Sequence, residues 1–169
     1  ALLYLGSASG IAATAAWTFE SNVANAQLGY RVSTAGDVNG DGRDDVIIGS
    51  FQFTNGQSQE GAAWVFLGTA SGLSATPQWF EEGAQVGAHF GNAVANAGDV
   101  NGDGYADILV GAPGYDAGQS DEGRAYIYLG GASGVASSPA ANFDANIAGA
   151  SLGQSVAPAG DVNGDGFAD

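Results

Sequence analysis

The segment DVNGDGYAD at 99–107 has a near copy at 37–45, DVNGDGRDD, and another at 161–169, DVNGDGFAD. Asp37, Asp99 and Asp161, which open the three copies, stand 62 residues apart at each step. The register extends well outside the loops. LYLGSASG at 3–10 matches VFLGTASG at 65–72 and IYLGGASG at 127–134. LGYRVSTAGD at 28–37 matches FGNAVANAGD at 90–99 and LGQSVAPAGD at 152–161. Self-similarity at one fixed period marks a repeat architecture, and a period of this size predicts a propeller blade or a comparable supersecondary unit.

Each repeat is predicted to hold four strands. In the copy at 88–149, AHFGNAVANA gives a first strand that leads into the loop and ADILVGA a second. RAYIYLG at 124–130 gives a third, and ANFDANI at 141–147 a weaker fourth. Both faces of the third strand are apolar in every copy. Leu2, Trp64 and Tyr126 lie on one side, and Leu3, Val65 and Ile127 on the other. A sheet wetted on one face would alternate apolar with polar residues. Four short strands covered on both faces predict an all-β fold of stacked four-stranded antiparallel blades.

The loops carry the chemistry. Positions 1, 3, 5 and 9 are Asp37, Asn39, Asp41 and Asp45 in the first loop. In the second they are Asp99, Asn101, Asp103 and Asp107, and in the third Asp161, Asn163, Asp165 and Asp169. Position 7 varies between Arg43, Tyr105 and Phe167, as expected of a residue that offers only its backbone carbonyl. Ten of the 18 acidic residues fall in these three loops, and the whole chain carries a formal charge of −15. Calcium takes six to eight oxygen ligands, and this donor set is all oxygen. Three calcium ions are therefore predicted, and they would bring the net charge to about −9. The third loop, at the chain end, is either complete in itself or lacks a ligand. An EF-hand is not expected, because position 12 is Ile48 or Val110 inside an apolar run, where that motif needs a glutamate.

Composition excludes several classes. The chain has no lysine, and its only cations are Arg31, Arg43 and Arg124, so nucleic acid is a poor partner. No apolar run approaches the roughly 20 residues of a spanning helix, so membrane insertion is not expected. There is no cysteine. The one histidine, His89, has Gln27 and Ser151 at its matched positions. Glu81 and Glu82 are neighbours on a strand and point to opposite faces. No catalytic residue is assigned, and the chain is not expected to be an enzyme.

The residues Phe90-Gly91, the GDVNGDGYAD loop and Val110-Gly111-Ala112-Pro113 resemble the FG-GAP repeats of integrin α-subunit β-propellers and their bacterial relatives. Leu28-Gly29 and Leu152-Gly153 depart from the Phe-Gly pair, and Ile48-Gly49-Ser50-Phe51 departs from the Gly-Ala-Pro stretch. The resemblance covers essentially the whole chain. It implies a structural calcium loop between the first and second strands of a blade, on the face opposite the usual ligand face. The ligand-side loops here would include 51–61 and 113–123. It also implies a calcium-stabilised binding or adhesion module for a protein or glycan ligand, outside the cell or at its surface. Two alternatives are an accessory propeller of a secreted hydrolase and a lectin. Trp17 and Trp79, matched by Ala141 in the third copy, could stack on sugars or pack within the outer strand. Asp116, Asp121 and Glu122 could hold a second cation or a basic ligand, or be a solvated loop.

The register divides the chain into a partial blade at 1–25, full blades at 26–87 and 88–149, and a partial blade at 150–169. The piece that would complete the set corresponds to 108–124. This predicts part of a longer propeller, seven-bladed by resemblance. Its open strand edges would be left bare or completed by the remainder of that propeller or by another chain.

Overall fold

The computed structural model describes residues 1–169 and contains strands and turns with no helix. The strands in chain order are β1 (Leu2–Leu3), β2 (Gly6–Ser7), β3 (Gly10–Ile11), β4 (Trp17–Thr18) and β5 (Arg31–Gly36). Then come β6 (Asp45–Ser50), β7 (Ala62–Phe66), β8 (Gly68–Thr69), β9 (Gly72–Leu73) and β10 (Trp79–Glu82). The last four are β11 (Ala93–Gly98), β12 (Asp107–Ala112), β13 (Arg124–Tyr128) and β14 (Ala141–Asp144).

Two four-stranded antiparallel sheets dominate, ordered β5-β6-β7-β10 and β11-β12-β13-β14. Each is an up-and-down meander, the form a propeller blade takes. No sheet closes on itself. Among strands of different sheets, the two first strands β5 and β11 approach most closely, which sets the blades side by side about a common axis. Ahead of them, β1 and β4 pair as a third and a fourth strand would. Residues 150–169 hold no strand and join the second blade through the Leu152–Gly123 bridge.

The apolar residues of one strand are divided between two cores. Ile47 and Val65 point into a core of 14 residues shared with Phe90, Val94, Ile108, Val110, Tyr126 and Tyr128 of the second blade. Their neighbours Ile48, Trp64 and Phe66 point the other way, onto Trp17, Phe19 and Ala1. Successive side chains of a strand alternate faces, so an unbroken apolar run such as VIIG fits only a sheet covered on both sides. Each fully buried aliphatic side chain here contributes about 1.5–3 kcal/mol.

Blades also meet through backbone. Gly91 (φ 78°) lies between Gly49 and the Ala62 carbonyl of the preceding blade. A Cβ on Gly91 would collide with that carbonyl, and one on Gly49 would collide with the Gly91 carbonyl. Gly111 and Gly153 repeat the contact one period on. Gly91 and Gly153 are therefore points of close approach between repeats, and the glycine of the pair persists where Phe90 is replaced by Leu28 or Leu152, although a Cβ on Gly29 would meet nothing.

Two details depart from the sequence expectation, and one pair of alternatives it left open is decided. The third and fourth strands are shorter, ending at Tyr128 and Asp144. Two-residue hairpins, β2–β3 and β8–β9, follow the third strands. In each a hydroxyl bonds across the turn, Ser7 Oγ to the Gly10 carbonyl and Thr69 Oγ1 to the Gly72 carbonyl, both at 2.9 Å. Gly131 occupies that position in the next copy, has no hydroxyl, and no strand pair forms. Finally, the tryptophans fasten one blade to the next. Trp79 is 5% exposed, donates to the Ala136 carbonyl at 3.0 Å and stands edge-on to Tyr128. Trp17 donates to the Ser74 carbonyl at 2.9 Å. This is the outer-strand packing alternative, and neither indole is free to stack on a sugar.

Gly91→Ala is expected to lower stability by at least about 2 kcal/mol, from left-handed strain added to overpacking. The exposed Ala84 (φ 51°) makes a contrast, since its matched residues Asn22 and Asn146 share the left-handed backbone. Ala84→Asn is expected to stabilise by about 0.5–1 kcal/mol. Urea unfolding of the two variants measures both changes.

Candidate metal centre

The aspartate at position 9 is the buried member of each internal loop. Asp45 and Asp107 are both 0% exposed. Asp45 Oδ2 accepts from Val38 N at 2.9 Å, and Oδ1 accepts from Gly68 N at 2.7 Å. Asp107 does the same with Val100 N and Gly130 N, both at 2.8 Å. One carboxylate thus ties the start of the loop to the glycine two residues past the third strand. Burial pushes both carboxyls above the usual aspartate range. The two amides draw each back, and the neighbouring charges, Asp37 with Asp41 and Asp103 with Asp99, push it up again.

Positions 1, 3 and 5 turn onto the loop's own amides. Asp37 accepts from Asp41 N at 3.0 Å and from Gly42 N at 2.7 Å, and Asn39 Oδ1 accepts from Asp41 N at 3.1 Å. Asp41 accepts from Arg43 N at 3.0 Å. The second loop repeats this at Asp99, Asn101 and Asp103, with Asp103 accepting from Tyr105 N. In the third, Asp161, Asn163 and Asp165 follow suit, and Asp165 accepts from Phe167 N. Asp169 accepts from Val162 N at 2.9 Å. In that exposed loop the Gly166 amide, followed by those of Gly164, Asp165 and Asn163, holds the Asp161 carboxyl below the usual range against a smaller effect of desolvation.

The donor set fits a hard cation, since every side chain at positions 1, 3, 5 and 9 offers oxygen. The carboxylates do not converge, however. No group of three or more acidic or histidine side chains is gathered closely enough to hold a metal ion. Arg43 places its guanidinium 3.5 Å from Asp41 in an exposed pair of small energetic worth.

Position 7 has a role that its variability concealed. The Tyr105 ring lies over Gly40 of the preceding loop, where an added Cβ would come within 2.7 Å of Cε1. Phe167 covers Gly102 in the same way. Beside these rings, Ala106 N donates to the Asp37 carbonyl at 3.0 Å, and Ala168 N to the Asp99 carbonyl at 2.9 Å. Consecutive loops are therefore in direct contact. The aromatic identity of Tyr105 and Phe167 was the available signal.

At the opposite end of the sheets, the loops 51–61 and 113–123 are built alike. Glu60 and Glu122 are 2% and 1% exposed. Glu60 Oε1 accepts from Asn55 N and Gln57 N, and Glu122 Oε1 from Ala117 N and Gln119 N. Asp116 Oδ1 accepts from Asp121 N at 2.7 Å. Glu122 and Asp116 thus bond to amides of their own loop, where a second cation, a basic ligand or a solvated loop was the expectation. Asp121 is exposed. Glu82 reaches Asn55 Nδ2 at 2.7 Å, while burial, and secondarily the Glu82 charge, raise the Glu81 carboxyl.

The FG-GAP repeat family matches residues 28–66 and 90–128. The chain is 39% identical to integrin alpha-PS2 of Drosophila melanogaster over 109 residues, which is 60% of this chain and 7% of that protein. It is 34% identical to integrin alpha-IIb of Mus musculus over 149 residues, 84% of this chain and 14% of that protein. It is 35% identical to integrin alpha-8 of Gallus gallus over 131 residues, 72% of this chain and 12% of that protein. The chain spans no more than 14% of the length of these relatives.

Two substitutions separate the loop's own framework from metal binding. Asp45→Asn, measured in chelator, is expected to cost about 1–3 kcal/mol, because an amide nitrogen would face a backbone N–H in a buried site. Tyr105→Ala is expected to cost about 1 kcal/mol by exposing Gly40 and its surroundings. Chemical denaturation in chelator reads both.

Proposed function

Because the chain carries FG-GAP repeats, we propose that it is a calcium-stabilised, non-catalytic β-propeller module of an extracellular or cell-surface protein, serving binding or adhesion. The observation that carries this reading is the threefold recurrence of one oxygen-donor loop at a fixed 62-residue period, two of the copies lying between the first and second strands of a blade. Asp37, Asn39, Asp41 and Asp45 would hold one ion through side chains, with the Arg43 carbonyl as a further ligand. Asp99, Asn101, Asp103, Asp107 and the Tyr105 carbonyl would hold a second. Asp161, Asn163, Asp165, Asp169 and the Phe167 carbonyl would hold a third. When bound, calcium supplies the positive charge that offsets the mutual repulsion of these carboxylates. The side chains at positions 1, 3 and 5 must turn from the loop amides toward the ion, so binding is coupled to the loop's conformation.

A protein ligand is favoured over a glycan, because Trp17 and Trp79 are both engaged in packing. Its place is the end of the sheets opposite the metal loops, where Glu60 and Glu122 hold two similar loops in a fixed shape. The similarity of the chain to integrin alpha subunits supports the adhesion reading. The domain limits 26–87 and 88–149 are proposed as the two complete blades.

Extracellular sites of this kind bind with dissociation constants of about 10⁻⁴–10⁻³ M. At about 5 mM calcium each filled site then adds about 1–2 kcal/mol. Melting is expected about 2–4 °C higher for each kcal/mol gained, with Asp41→Asn and Asp103→Asn each removing one increment. A melting temperature unmoved by calcium in both the parent chain and the variants would defeat the reading. An equal rise with magnesium would assign the sites to a different ion.

A further inference from the structure

Asparagine or aspartate stands directly before glycine at seven places, and the structure treats them unequally. Six of the pairs lie in the three oxygen-donor loops, at positions 3–4 and 5–6, and the seventh is Asn55-Gly56. Such a pair can close into a succinimide when the glycine nitrogen attacks the side-chain carbonyl carbon, since glycine has no side chain to crowd the approach. Attack needs that nitrogen without its proton. An N–H already given to a carboxylate resists losing it, because one negative charge beside another is disfavoured. Gly42 donates to Asp37 at 2.7 Å, and Gly102 and Gly104 to Asp99 at 2.7 and 2.8 Å. Gly164 and Gly166 donate to Asp161 at 2.6 and 2.9 Å. The aspartate at position 1 thus restrains five of the seven glycine amides.

Gly40 and Gly56 donate to no acceptor. The first is restrained in other ways. Asn39 Oδ1 accepts from Asp41 N at 3.1 Å, and the Tyr105 ring lies over Gly40. Asn55-Gly56 has neither restraint. The one side-chain bond of Asn55 runs from Nδ2 to Glu82 Oε1, at 2.7 Å, and a Cβ on Gly56 (φ 102°) would meet nothing. Residues 54–59 are all exposed. The matched residues 116–121 are exposed as well, although a whole preceding blade stands beside them, so a neighbouring blade does not cover the tip of this loop. The next repeat also supplies a control. It holds Ala117-Gly118 at the matched place, with no carboxamide, and its loop still forms around Glu122. The fold therefore does not require Asn55.

We propose that Asn55-Gly56 is a self-modification site, at which asparagine converts to aspartate or isoaspartate and unfastens the loop 51–61. The Gly56 nitrogen gives its proton to hydroxide and attacks Asn55 Cγ. The new N–Cγ bond forms, the Cγ–Nδ2 bond breaks, and Nδ2 leaves as ammonia with a proton taken from water. Water then opens the succinimide. Opening at Cγ gives aspartate, and opening at the main-chain carbonyl gives isoaspartate. One water is consumed and one ammonia released, with no oxidant or reductant. Either product sets a carboxylate against Glu82, where an amide donated before. Isoaspartate also adds one carbon to the main chain between the Asn55 and Gln57 amides. Both of these donate to the buried Glu60 Oε1, at 2.7 and 3.3 Å, and the extra atom parts them. This chemistry belongs to the chain itself and stands whether or not the loop meets a ligand.

The test incubates the full, folded chain in chelator and mildly alkaline heavy-oxygen water, followed by peptide mapping with mass spectrometry. The Asn55 peptide is expected to take up label, in aspartate and isoaspartate forms, at a rate that rises with hydroxide. It should react at least about tenfold faster than the Asn101 and Asn163 peptides, whose glycine amides are held by a carboxylate, and faster than the Asn39 peptide. In urea all four should react at similar rates, since each asparagine is followed by glycine. Asn55→Ala, which installs the residue of the next repeat, should remove the more acidic species seen on isoelectric focusing and keep the parent melting temperature. In the purified isoaspartate form the Gln57 amide should exchange with solvent at least about tenfold faster than in the parent. A folded chain in which any other pair reacts as fast as Asn55 would overturn the proposal. The same ranking in urea would overturn it too, by assigning the difference to local sequence. Unchanged exchange at Gln57 would overturn the release of the loop.

Discussion

One buried carboxylate per blade organises everything around it. Asp45 sits at the start of the second strand, with no solvent contact, and divides its two oxygens between the first turn of the loop and the glycine two residues past the third strand. Without those two amides its charge would stand unmatched in an apolar setting, at a cost of several kcal/mol. With them, three pieces of chain distant in sequence are fixed to one point. Asp107 repeats the arrangement one blade on. The curl of the loop, the spacing of first and second strands and the exit of the third all follow from where that carboxylate lies.

Seen from there, the loop has two separable layers. The inner layer is Asp45, which the fold needs whether or not an ion is near. The outer layer is Asp37, Asn39 and Asp41, whose side chains are exposed or half-exposed and bonded only to amides within the loop. Such bonds can be exchanged for a cation without disturbing the sheets. The opposite end of the blade follows the same logic. Glu60 and Glu122 are buried anchors, and the residues they support are free to vary.

The blade was legible in the sequence because its signals are periodic and redundant. Alternation within VIIG and ILVG requires two covered faces, and the structure divides those residues between two cores as the pattern demands. The Phe-Gly pair announced itself by recurrence, although its physical reason, backbone contact between blades, needs coordinates. What stayed hidden were contacts made by one repeat upon the next. Tyr105 over Gly40 and Trp79 on the Ala136 carbonyl cross a blade boundary, and no local pattern marks the partner. Glu122 was misjudged for a related reason. A glutamate among exposed residues looks solvated until the amides that enclose it are seen.

The ring at position 7 makes the boundary between repeats a different one from the boundary between sheets. Each loop is roofed by a side chain that belongs to the following repeat, so a loop and its roof are inherited from different units. Duplicating, deleting or transplanting a blade along the sheet boundary would part each glycine from the ring fitted to it. A cut placed inside the loop, between Gly40 and Arg43 or between Gly102 and Tyr105, would instead separate the first strand of a blade from its other three and would still leave each glycine and its ring in different units. A glycine and its roof stay together only in a segment longer than one repeat, running from the start of one loop to the end of the next.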